Sequence, residues 1–160
     1  MKSSVRPRGF SLVEIIIGTA LVAALVTAVS SAWAYYGKLA SQSYRLAQAA
    51  MMTEEGAEAL VYMRDKGWSL AISPLTHDTD YYLVWDGTDY VATTTETSVN
   101  GLVRTISLAS VYRDSSSNIV TNGGTLDPGT LTATISIYPG ATTSPAILRS
   151  QMIIHDVSGI

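Results

Sequence analysis

A chain of 160 residues, 47% apolar and 14% charged with a formal net charge of −3, is long enough for one domain and an anchor. The charged share is low against a typical ~25%, and the acidic balance argues against a general nucleic-acid binder, which needs a basic face. The absence of cysteine excludes thiol catalysis and thiolate metal sites, and any exported part must be stable without disulfides.

The N-terminus carries the strongest pattern. Lys2, Arg6 and Arg8 precede a run of 23 residues, Ile15 to Gly37, that contains no charge. At ~1.5 Å per residue such a helix crosses a ~30 Å hydrocarbon core. Ile15, Leu21 and Leu25 lie within the span, and Trp33, Tyr35 and Tyr36 stand where it leaves the bilayer, as an aromatic belt. Gly18 and several alanines are small positions that allow close helix contact in lipid. The basic flank keeps residues 1–9 cytoplasmic and exports the chain from about residue 38 onward.

Glu14 opens the span. A carboxylate inside a membrane costs about 2.5–3.5 kcal/mol at the centre and less near an end, so it calls for a positive partner. Arg8 is six residues back, off the helical i−3/i−4 spacing. A cut between Gly9 and Phe10 would create an ammonium at Phe10, with an ordinary pKa of about 7.7–8.0. The amine of a staggered neighbouring copy can then reach Glu14. That would make the segment an assembly element as well as an anchor.

Arg8-Gly9-Phe10-Ser11-Leu12-Val13-Glu14, followed by the apolar run, resembles the class III signal of type IV pilins and type II secretion pseudopilins. The resemblance covers residues 1 to about 65. It implies cleavage after Gly9 by prepilin peptidase and N-methylation of Phe10. It also implies pairing of Glu14 with a neighbour's terminal amine in a filament. The implied partners are other pilin or pseudopilin subunits, the peptidase, an inner-membrane platform protein and its assembly ATPase. The chain would be a single-pass inner-membrane protein with its C-terminal domain outside, later part of a pilus or pseudopilus. Many pilins close a C-terminal loop with a disulfide; this chain, without cysteine, departs from that pattern. The low-charge sheet domain, its aromatic loops and the missing disulfide lean towards a minor pilin or a pseudopilin.

Four segments follow: a leader, 1–9; the membrane half of a helix, 10–37; its amphipathic half, 38–66; and a β domain, 67–160. In the second of the helical halves Leu46, Ala49, Ala50, Ala57, Leu60 and Val61 form one stripe. Arg64 and Lys66 suit the helix C-terminus and Gly67 its stop, giving one helix of about 55 residues with Gly37 and Gly56 as candidate bends. Residues 68–80 read as a loop, 81–85 and 90–95 as strands joined at Asp86-Gly87, and 93–98 as edge or loop. Residues 102–113 form a long strand whose apolar parity shifts near Leu108, which predicts a bulge there. Gly123-Gly124 and Asp127-Pro128-Gly129 punctuate a long loop. Residues 131–138 and 146–157 alternate as half-buried antiparallel strands, the latter with Leu148, Met152 and Ile154 inward. The fold class is α+β: a pilin-like long helix, membrane-spanning in its first half, packed on a four- to five-stranded antiparallel sheet.

No catalytic constellation emerges, so no enzyme, cofactor or metal site is expected. His77 and His155 lack metal-ligand spacing, and no serine sits in Gly-x-Ser-x-Gly. Asp78 with Asp80, and Asp86 with Asp89, have no EF-hand pattern and read as turn residues. Glu54, Glu55 and Glu58 form an acidic patch that suits a solvated face. The competing reading is an exported or membrane-anchored surface-binding module with an ordinary signal peptide, 2–8 its basic region, 15–29 its apolar core, and Ala32-Trp33-Ala34 its cleavage site.

Overall fold

The computed structural model describes Gly9, residues 11–142 and residues 145–157. The leader residues 1–8 and Phe10, one side of the expected cleavage point, lie outside the described residues. Contacts divide the chain into two units, Met1–Tyr44 and Arg45–Ile160. A single helix, α1 (Leu12–Lys66), contributes to both.

In the first unit α1 is exposed throughout. It is long and apolar enough to cross a membrane, and none of its most apolar stretch is buried within the chain. Ile15 N–H donates to Ser11 C=O at 3.2 Å and starts the helical ladder. Hydroxyls within the apolar run donate back along the helix: Thr19 to Ile16 C=O at 3.0 Å, Thr27 to Ala23 C=O at 2.8 Å, and Ser31 to Thr27 C=O at 2.9 Å. These side chains therefore have a partner within the helix itself.

The second unit is an α+β layer, with the last turns of α1 packed on an antiparallel sheet of five strands. The strands are β3 (Ser98–Val99), β4 (Leu102–Arg113), β5 (Ile119–Val120), β6 (Thr125–Pro139) and β7 (Leu148–His155). Their order is β3-β4-β6-β7, with β5 also on β4. A separate hairpin, β1 (Tyr82–Trp85) and β2 (Tyr90–Thr93), pairs only with itself. It joins the sheet edge where Tyr81 and Ile106 exchange two 2.8 Å backbone bonds. Alternation places Leu131, Ala133, Ile135 and Ile137 of β6 opposite Ile154, Met152, Ser150 and Leu148 of β7. With Ile106 and Leu108 of β4, the apolar residues among them form the face that meets Ala49, Leu60 and Met63 of α1.

Four expectations are revised or refined. The buried helix stripe is Ala49, Thr53, Gly56, Ala59, Leu60 and Met63, while Leu46 and Ala50 are exposed. Gly56 is a point of close approach: an added Cβ would stand 3.0 Å from Arg104 Cδ and 3.3 Å from Ile135 Cγ2. Residues after Gly67 do not run as a loop alone, because Trp68–Ile72 makes a π-helical turn that buries Trp68 and Ile72 in the core.

The fourth concerns the bulge. Pairing runs Ser110↔Leu131 and then Val111↔Asp127, so Pro128, Gly129 and Thr130 of β6 are the extra residues. The expected long loop is thus partly strand. Pro128 has no N–H to lose from a ladder, which suits it to a bulge. The carboxylate of Asp127 accepts Gly129 N–H at 3.1 Å and Arg113 Nε–H at 2.7 Å. Asp156 N–H donates to Gly129 C=O at 2.8 Å.

Candidate assembly site

The expected site consists of Gly9, Phe10 and Glu14 ahead of the exposed span. Gly9 is exposed with nothing within 4 Å of an added Cβ. Phe10 lies outside the described residues. Glu14 is not alone in a single chain: its Oε2 accepts the backbone N–H of Ser11 at 3.2 Å. Ser11 and Glu14 stand at the N-cap and N3 positions of α1, the arrangement of one half of a capping box. A carboxylate at the first turn also complements the helix dipole. The sequence signal for this, Ser-x-x-Glu before an apolar run, is present. Oε1 makes no bond among the described residues, and a carboxylate has about four acceptor positions. The group can thus hold its own helix start and still accept an ammonium from outside.

Beyond Glu14, Ile15, Leu21, Leu25 and Trp33 are all exposed in the isolated chain. Tyr35 and Tyr36 meet edge to face at a ring separation of 6.0 Å. An apolar surface of this extent, uncovered, is one that lipid or other copies of a helix would occupy.

Two polar sites of the second unit escape sequence reasoning. The first is Arg104, only 8% exposed and on the apolar parity of β4. Its Nη1 donates to Met52 C=O at 2.9 Å and its Nη2 pairs with Glu55 Oε1 at 3.3 Å, while Nε is buried without a partner among the described residues. An arginine interrupting the series Leu102, Ile106, Leu108 was the available signal. Gly56 leaves the room for the guanidinium stem.

The second joins the end of α1 to the hairpin. Asp89 accepts Tyr62 O–H at 2.8 Å and forms an ion pair with Lys66. Asp86 accepts the N–H groups of Thr88 and Asp89, both at 2.8 Å, so the turn role expected for Asp86 is seen directly. The Lys66 and Tyr62 bonds lower the Asp89 pKa, and the Asp89 and Thr88 N–H groups lower that of Asp86. Asp89 in turn raises the pKa values of Lys66 and Tyr62. An open cleft of about 380 Å³ lies beside this clasp, bounded by Met63, Lys66, Leu70, Leu75, Asp89 and Tyr90.

His77 and His155 are exposed; His77 Nδ1 is 2.8 Å from Ser110 Oγ, and the described residues contain no cluster of three metal-ligating side chains. Comparison with protein-family models, with curated proteins and with solved structures returns no match.

Proposed function

We propose that the chain is a structural subunit, a minor pilin or pseudopilin, of a type IV pilus or type II secretion pseudopilus. The observation that carries this reading is an apolar helix wholly exposed in its first unit, preceded by Gly9-Phe10 and opened by Glu14. In this reading prepilin peptidase cuts after Gly9 and methylates Phe10. The platform protein and its ATPase then draw the subunit from the inner membrane into the filament. Back-bonded Thr19, Thr27 and Ser31 support it, since these three hydroxyls already have partners within the helix and need none from a dry environment. Glu14 keeps Ser11 N–H in the membrane-bound subunit and takes a neighbour's Phe10 amine on assembly. The functional test is Glu14→Ala: insertion and cleavage proceed, but incorporation into filaments drops when no unaltered copy is present. Full incorporation in that setting removes the pairing from the mechanism.

A further inference from the structure

Resting on that reading, a second intermolecular contact can be derived from charges within the unit Arg45–Ile160. This unit contains six basic residues. Arg64, Lys66, Arg104 and Arg113 are in intrachain ion pairs, with Asp65, Asp89, Glu55 and Asp127. Arg149 donates to Ser136 Oγ at 3.2 Å. Arg45 alone is exposed and bonds nothing among the described residues. Glu54 and Glu58 are its counterparts: both exposed, four residues apart, and without a cation among the described residues. Like charges at that spacing repel and destabilise a helix slightly.

Helix geometry sets how these groups can meet. Nine residues at about 100° each carry Glu54 to the side of α1 opposite Arg45, and Glu58 lies about 40° further round. At ~1.5 Å per residue the two acids sit roughly 14–20 Å further along the axis. A two-fold interface presents the same patch on both partners. Groups on opposite sides of one helix cannot share such a patch. They can meet only in a head-to-tail contact that repeats along an open helical array.

We propose that Arg45 of each copy pairs with Glu54 or Glu58 of a parallel neighbour displaced along the axis by roughly 14–20 Å. A solvent-exposed pair contributes little by itself, so it does not drive assembly. Repeated at every subunit, it fixes the axial register outside the membrane, at a level distinct from Glu14.

Because the chain has no cysteine, the contact can be trapped by chemistry at chosen positions. The double variants Arg45→Cys/Glu54→Cys and Arg45→Cys/Glu58→Cys are made in the full chain, in source cells with their assembly apparatus, and treated with a short bis-maleimide. At least one should give a ladder of trimers, tetramers and longer products, and each single variant no ladder. In parallel, Arg45→Glu should lower the assembled fraction several-fold, and adding Glu54→Arg with Glu58→Arg should restore it. An unaltered chain that assembles, with no ladder from either double variant and with Arg45→Glu assembling equally well, overturns the pairing alone. If the unaltered chain never assembles, the filament reading fails and takes this inference with it.

Discussion

Gly56 of α1 and Arg104 of β4 meet across the helix–sheet interface so closely that an added Cβ on Gly56 would lie 3.0 Å from Arg104 Cδ. The second close neighbour, Ile135 Cγ2 at 3.3 Å, belongs to a fully packed core side chain. Overpacking of this kind typically costs about 1–3 kcal/mol. Gly56→Val should therefore destabilise the folded domain by about 2 kcal/mol, despite removing a glycine from a helix interior. A denaturant midpoint equal to or above that of the unaltered chain contradicts the close approach.

Arg104 itself makes a contrasting prediction. Its cation is buried with one N–H unmet, while Glu55, its partner, is half exposed and can rehydrate. Replacing a buried charged group with an apolar one of similar volume is often neutral or stabilising by 1–4 kcal/mol. Arg104→Met should leave stability unchanged or raise it by about 1 kcal/mol. Arg104→Ala, which opens space beside Gly56, should lower stability by about 2 kcal/mol. Equal losses in both variants, measured by the same denaturant titration, show that the guanidinium's bonds matter more than its volume.

The clasp of Tyr62, Lys66 and Asp89 predicts the pH dependence. The Asp89 pKa is lowered chiefly by its bond from Lys66. Its contribution is present above the ordinary aspartate value of about 3.9 and fades as pH falls through the lowered one. Asp86 acts with the same sign. The pKa values of Lys66 and Tyr62 are raised by Asp89. Their contributions are present below about 10 and fade as pH rises through the raised values. Thermal stability should be flat between these limits and fall at both. Asp89→Asn should shrink both falls, and an unchanged profile in that variant places the pH dependence elsewhere.

Several features of this molecule are legible in the chain because the underlying signal is strong. Uncharged length marks the exposed apolar half of α1, Gly67 the end of that helix, and period-two alternation the faces of β6 and β7. The buried stripe of α1 is less legible. Thr53, Gly56 and Ala59 carry little hydropathy contrast, and the face is chosen by how closely small residues let the sheet approach. Leu46 and Ala50, apolar yet exposed, read as core only by composition. The bulge is hidden for another reason. The parity change shows on β4, but its cause is three extra residues on β6, and register belongs to a pair of strands. The bond from Ser11 N–H to Glu14 is legible as Ser-x-x-Glu ahead of the apolar run, a pattern that gives the carboxylate a backbone partner as well as a place for a cation.

The central claim is that a neighbour's amine at Phe10 meets Glu14, and this requires the mature chain to begin at residue 10. The direct measurement is the intact mass and N-terminal fragment mass of the chain from source cells. The account predicts a start at Phe10 bearing one methyl group, lost when Gly9 is replaced by leucine. A mature chain beginning at Tyr35, or an uncut chain carrying its leader in assembled material, contradicts it.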